Sequence, residues 1–163
     1  MVLTRKNNAF RSTVIAVLIL TGLFSGTMAL AECQPGQLQE ANLAYQSAME
    51  FLNARQWDQA IARMQSIIQV CPEHVEATRG NGLAMLGKKD YDGAIPYLKK
   101  VIELRGNNVE AGDFANLARP YARTQKYKEA RAEYMKAQQL APDDCGVLFN
   151  LGVMHYAAGY HPQ

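Results

Sequence analysis

One pattern recurs along this chain at a near-constant interval, and it limits the fold more than anything else in the sequence. Trp57-x-x-Ala60-Ile61-x-x-Met64-x-x-Ile67-Ile68 returns 34 residues on as Tyr91-x-x-Ala94-Ile95-x-x-Leu98-x-x-Val101-Ile102. It returns again 36 residues later as Tyr127-x-x-Ala130-Arg131-x-x-Tyr134-x-x-Ala137-Gln138. Steps of three and four residues place these side chains on one stripe of a helix. Each stripe follows a short break (Ala54-Arg55-Gln56, Gly87-Lys88-Lys89, Thr124-Gln125-Lys126), and a second amphipathic stretch precedes each break. The unit is therefore helix–turn–helix. Asp90 and, more weakly, Gln56 stand where an N-cap is wanted. Pro72, Gly106 and Pro142 follow the second helices, where a helix is expected to stop.

The small residues have a packing reason. Ala48, Gly82 and Ala118 let the paired helix come close, and Ala60, Ala94 and Ala130 do the same from the other side. Phe51, Met64, Met85, Leu98, Tyr121 and Tyr134 are expected to fill the layers between. Two features weaken the third unit. Pro120 lies inside its first helix, where it removes the bond to the Asn116 carbonyl and is expected to kink the helix. Arg131 and Gln138 occupy stripe positions that are apolar in the first two units.

This spacing resembles the tetratricopeptide repeat family, whose repeat pairs small residues with an aromatic at fixed offsets. The residues that carry the likeness are Ala44, Ser47-Ala48, Phe51, Ala60, Met64 and Pro72 in the first unit. Thr78, Asn81-Gly82, Met85, Ala94, Leu98 and Gly106 carry it in the second. Phe114, Leu117-Ala118, Tyr121, Ala130, Tyr134 and Pro142 carry it in the third. Leu148, Leu151-Gly152 and His155 begin a fourth. The resemblance implies an all-α fold, a right-handed α-solenoid of about three and a half units. The expected divisions are a lead-in at 32–40, units at 41–74, 75–110 (with a two-residue extension) and 111–144, and a partial fourth unit at 145–163.

The first 31 residues read as an address. Arg5, Lys6 and Arg11 precede an uncharged run from Ser12 to Ala31 that ends in Ala29-Leu30-Ala31. A charged start, an apolar middle and small residues before the cut form a secretory signal, with cleavage expected after Ala31. The rival is an uncleaved membrane anchor, since about 20 uncharged residues can just span a bilayer. Cys33 lies one residue too late for a lipid anchor. The expected location is periplasmic. Of 17 Lys and Arg, three lie in this leader, which has none of the 15 Asp and Glu, so the remainder carries 14 basic against 15 acidic residues. That balance gives no basic footprint for a nucleic acid.

Cys33 precedes the first helix and Cys71 ends the second. In an antiparallel hairpin those ends lie side by side, so a Cys33–Cys71 bridge is expected in an oxidising compartment. The alternative is an unbridged core thiol at Cys71. Cys145 is expected to remain free. His74, His155 and His161 match no ligand spacing, with His155 read as a packed side chain. The chain has no C-x-x-C, H-E-x-x-H, P-loop or G-x-S-x-G motif, so no cofactor, metal or catalytic residue is expected and the chain is read as non-enzymatic.

The stretch from Cys145 to Gln163 contains no Asp, Glu, Lys or Arg. Repeat arrays ordinarily end in a helix with a polar outer face. Two expectations follow: the sequence is the N-terminal part of a longer exported repeat protein, or the apolar helix over 145–160 is a surface for self-association or a partner.

The family resemblance also implies a concave groove lined by the first helices, which takes a peptide or helix of a partner protein. The matching positions are Tyr45 and Met49, then Arg79 and Leu83, then Asn116, Arg119 and Arg123, then Phe149 and Asn150. Apolar residues at one end give way to Arg and Asn at the other, suiting a segment with hydrophobic anchors and an acidic feature. The family's chaperone-binding members clamp a terminal carboxylate at positions that are Tyr45, Met49, Gly80, Gly112 and Asn116 here. Only Asn116 suits that role, so that activity is not expected.

Overall fold

The structure, a computed structural model, describes residues 33–157 and Gly159. The leader over 1–31 with its cleavage point, and the tail from Tyr160 to Gln163, lie outside the described residues. Seven α-helices account for the described chain: α1 (Pro35–Asn53), α2 (Trp57–Val70), α3 (Val75–Lys88), α4 (Tyr91–Arg105), α5 (Ala111–Arg123), α6 (Tyr127–Leu140) and α7 (Cys145–Ala157). Each packs against its neighbours in sequence, and α1 also reaches α3, which is the pattern of a solenoid of helical hairpins. The first helix begins at Pro35, inside the segment read as a lead-in, with Pro at its first position where the missing N–H is harmless. None of the helices among the described residues is long and apolar enough to cross a membrane.

The turns inside the three complete hairpins close in one way. Arg55, Lys89 and Gln125 adopt left-handed backbone, with φ of 58°, 70° and 60°. The next residue's N–H donates back to the carbonyl of Phe51, Met85 or Tyr121, at 2.9 Å in each case. That bond satisfies a carbonyl left over at the helix end. The same residue then opens the second helix. The carbonyls of Gln56, Asp90 and Lys126 accept from the N–H of Ala60, Ala94 and Ala130 at 3.0, 3.1 and 3.0 Å. The 34- and 36-residue spacing of the sequence is thus a spacing of identical turns. Asp90 adds a side-chain cap, accepting from Gly93 N–H at 3.0 Å, whereas Gln56 makes none.

Small residues sit where helices meet. Ala48, Ala60, Ala94, Ala118 and Ala130 are fully buried. A methyl group placed on Gly82 would come within 2.8 Å of the Leu98 side chain, so the α3 backbone packs directly against that side chain of α4. Met64, Leu98 and Tyr134 fill the layers, as the stripe predicts. Pro120 does not end α5, which runs three residues further to Arg123, and its ring is buried. The polar stripe residue Arg131 is accommodated because its Nε donates to His155 Nε2 of α7 at 3.4 Å.

The junctions between hairpins are of two kinds. After α2 and α6, a Pro-containing turn leads to a capping side chain. His74 Nδ1 accepts from Ala77 N–H at 3.0 Å, and Asp144 Oδ1 accepts from Val147 N–H at 2.9 Å. The α4–α5 junction has a 3-10 turn at Gly106–Asn108 instead, and charge holds it together. The buried Asp113 carboxylate accepts from Glu110 N–H at 3.0 Å, and lies 3.1 Å from Arg105 Nε and 3.8 Å from Arg79 Nη1. Arg105 also pairs with Glu110 at 2.6 Å and Glu76 at 3.3 Å, and Arg79 pairs with Glu76. Breaking such a buried pair typically costs about 3–5 kcal/mol, because it strands a charge.

Cys33 and Cys71 form a disulfide with a Cα–Cα distance of 4.9 Å, and Cys145 is free and exposed. Cys71 is buried while residues 34–40 are exposed, so the bridge tethers a helical segment that has little apolar burial of its own. Reduction, or Cys33→Ser, is expected to lower the unfolding free energy by about 3–4 kcal/mol on loop-closure grounds. Guanidinium titrations with and without reductant measure this difference.

Candidate partner-binding groove

The first helices of the hairpins, α1, α3, α5 and α7, carry every groove position drawn from the sequence, but the structure distributes these residues over different environments. The C-terminal ends of α3, α5 and α7 meet around one cavity of about 590 Å³, to which α1 contributes no residue. Arg119 and Arg123 of α5 border it from one side, Asn150 and Val153 of α7 from another, and Leu86 of α3 from a third. The two arginines are four residues apart, which puts both on one face of α5. Both are exposed, and neither has an ion-pair partner among the described residues. Asn150 is half-buried, with its Nδ2 donating to the Gly146 carbonyl at 2.7 Å. Its side-chain oxygen is therefore the atom left to a ligand.

The other groove positions fall elsewhere. Tyr45 and Met49 are half-buried and pack on the cluster of Ala41, Ala48 and Met64 that joins α1 to α2. Burial pushes the Tyr45 phenol above its usual pKa, with the Glu76 charge adding to the rise and Arg79 opposing it. Arg79 is engaged by Glu76 and Asp113 in the α4–α5 joint. Leu83 and Asn116 are half-buried outside the cavity lining. Phe149 is 72% exposed on the outer side of α7, away from the cavity.

Lys89, Tyr91, Tyr127 and Tyr134 are among the cavity residues that were not drawn from the sequence as groove positions. Lys89 is the left-handed turn residue after α3, and Tyr91 and Tyr127 open the second helices. The aromatic at the start of each repeat stripe was their only signal, and it was read as framework. Tyr134 was read as core filling and serves two purposes. It is 2% exposed, yet its ring forms part of the cavity floor. Burial raises its phenol pKa, while the positive charges of Arg119 and Arg123 pull it back down, so both guanidinium groups act on the same floor. Among the described residues, no carboxylate borders the cavity. Its chemistry is that of hydrogen-bond donors over apolar walls.

At the opposite end of the groove, His74 is a further residue that the sequence reading passed over. It is buried, tilts against the Tyr45 ring at a centroid distance of 5.7 Å, and holds Asn42 Oδ1 at 3.2 Å through Nε2. Because Nδ1 caps α3 by accepting a hydrogen bond, the ring must be unprotonated there.

One tetratricopeptide repeat model matches residues 45–109 and a second matches residues 114–144, together more than half of the chain. The chain belongs to the tetratricopeptide repeat family. Solved structures of the family share its fold. The first repeat domain of Spaghetti (RPAP3), bound to the HSP90 peptide SRMEEVD, is 16% identical with a TM-score of 0.70, over 74% of this chain and 94% of that one. MamA from Desulfovibrio magneticus is 21% identical with a TM-score of 0.69, over 74% and 67%. The Arabidopsis OM64 domain is 15% identical with a TM-score of 0.69, over 74% and 98%.

Burial lowers the His74 pKa below 6.5, with Glu76 opposing the fall, so the folded repeat holds the neutral ring. Below about pH 6.5 the unfolded chain takes up a proton that the folded chain refuses, and stability falls as pH drops towards the folded pKa. Acid titration of the melting temperature is expected to show this loss in the native chain and a smaller one in His74→Asn, where the new side chain still caps α3.

Proposed function

We propose that this tetratricopeptide repeat protein is a non-enzymatic scaffold that seats a segment of a partner protein in its concave groove, with the cavity between α3, α5 and α7 as the seat. The observation that carries this reading is the charge of that cavity. Lys89, Arg119 and Arg123 face it with no acid among its described lining residues, while Leu86, Val153 and Met154 give it apolar walls. Such a site suits an extended or helical segment with an aliphatic anchor beside an acidic group. The arginine fork grips a carboxylate, and the walls gain from covering the anchor. The RPAP3 domains among the similar structures were solved with acidic peptides, SRMEEVD and SGPTIEEVD, which supports a peptide-binding reading of the groove.

The location belongs to the same proposal. The leader pattern over 1–31 and a disulfide between α1 and α2 both suit an exported, periplasmic protein, since such bridges persist in oxidising compartments. The alternative, an accessory segment of a longer exported repeat protein, rests on the bare face of α7, which a further repeat would cover.

Fluorescence anisotropy with acidic–aliphatic heptapeptides and their lysine-containing counterparts tests the seat. The acidic probes are expected to bind, more weakly as salt is raised. Arg119→Ala/Arg123→Ala is expected to weaken them by about tenfold or more, the loss of one charge-assisted contact of about 1.5–3 kcal/mol. Both residues are exposed, so the melting temperature should barely move. Equal binding of acidic and basic probes, or affinity untouched by the double substitution, would refute the seat.

A further inference from the structure

Three first helices frame the cavity in array order, and its chemistry changes from one to the next. At one edge α3 contributes Leu86, with Lys89 on the turn that follows. In the middle α5 contributes Arg119 and Arg123. At the other edge α7 contributes Val153 and Met154, and no Asp, Glu, Lys or Arg occurs in that helix. The middle place of α5 is fixed by its neighbours: Arg79 of α3 reaches Asp113 of α5, and Ala118 of α5 packs with Leu151 of α7. The lining is therefore apolar, cationic and apolar in turn, with one further cation at the α3 edge.

This order carries a length. Helices in contact lie about 8–10 Å apart, axis to axis. An extended chain advances about 3.3 Å per residue, so about three residues separate what it offers to one first helix from what it offers to the next. A helical segment advances about 1.5 Å per residue and needs about six. Asn150 favours the extended form. Its Nδ2 donates to the Gly146 carbonyl at 2.7 Å, so its oxygen is an acceptor in want of a donor. Beyond its first turn a helical segment spends its N–H groups on its own carbonyls, whereas an extended one has them free to give.

We propose that the seat selects an extended segment in which one acidic residue stands three places from an aliphatic residue on each side. The acid meets Arg119 and Arg123, one aliphatic side chain covers Leu86, and the other lies on Val153 and Met154. This register rests on the reading of the cavity as a seat for acidic segments. The pattern is symmetric, so either chain direction satisfies it. An acid at the α7 edge is rejected, because it loses water against Val153 and Met154 and gains no cation there.

Amide-capped heptapeptides binding to the full chain test this register. The probe with glutamate at its centre and leucine at both ends is expected to bind about tenfold tighter than isomers with adjacent leucines or a terminal glutamate. Setting the leucines six places from the glutamate, the helical spacing, is expected to abolish that gain. A change of charge at the α7 edge reads the register directly. Val153 is 42% exposed, so Val153→Lys leaves the buried core intact. That variant is expected to bind a probe with glutamate in place of one end leucine better than the leucine-ended probe, reversing the native preference. Isomers that bind as tightly as the spaced probe, yet still lose affinity in Arg119→Ala/Arg123→Ala, would overturn the register and leave the acidic seat standing. A preference for the six-place spacing, or a Val153→Lys variant that ranks the probes as the native chain does, would overturn it equally. A spaced probe that binds the native chain no better than the double arginine variant would remove the seat, and the register with it.

Discussion

The close approach of paired helices at small side chains is the constraint on which the rest of this structure depends. Ala48, Ala60, Ala94, Ala118 and Ala130 are wholly buried, and at Gly82 the α3 backbone comes so near Leu98 that a single added carbon has no room. Interiors tolerate neither gaps nor excess volume, so these positions fix the distance between the helices of a hairpin. That distance places the first helices along one side. At the third hairpin the consequence reaches the site directly. Ala118 and Ala130 pack in one cluster with Tyr134 and Met154, and those two side chains form part of the cavity beside the free guanidinium groups.

A solenoid is only as regular as its junctions, and the α4–α5 junction is the irregular one. A Pro turn and a side-chain cap suffice between α2 and α3 and between α6 and α7. The two-residue extension displaces that arrangement, and five charged side chains from α3, α4, α5 and the residue before α5 converge in its place. Asp113 has no exposure at all, so its charge is tolerated because Arg105 and Arg79 stand beside it and the Glu110 amide donates to it. Ion pairing at this depth contributes specificity of position more than net stability.

The sequence pattern carried most of the fold because it is repeated. Three copies of one stripe with three equivalent breaks leave few alternatives, and the disulfide follows from the hairpin once Cys33 and Cys71 are seen at adjacent ends. The site was legible in part. Arg119, Arg123 and Asn150 come together because first-helix positions project to a common side. Arg79 has the same register but is drawn into the extended junction, an effect that depends on Asp113 of the next hairpin. Tyr134 was legible as core and not as cavity floor, since one ring buries its body and presents an edge. His74 carried no recognisable spacing, because capping depends on the backbone path after Pro72. Lys89 entered the cavity through a left-handed turn, which a lysine does not advertise.

The close-approach constraint is tested most directly by overfilling one contact. Ala118→Leu, beside the cavity, is set against Ala62→Leu on the exposed side of α2 as a control for helix propensity. Equilibrium denaturation should show Ala118→Leu destabilised by about 1–3 kcal/mol relative to the control, the cost of forcing extra volume into a filled contact. Equal stability of the two variants would mean that the paired helices are not held at this distance by their small residues, and the account of the groove would fall with it.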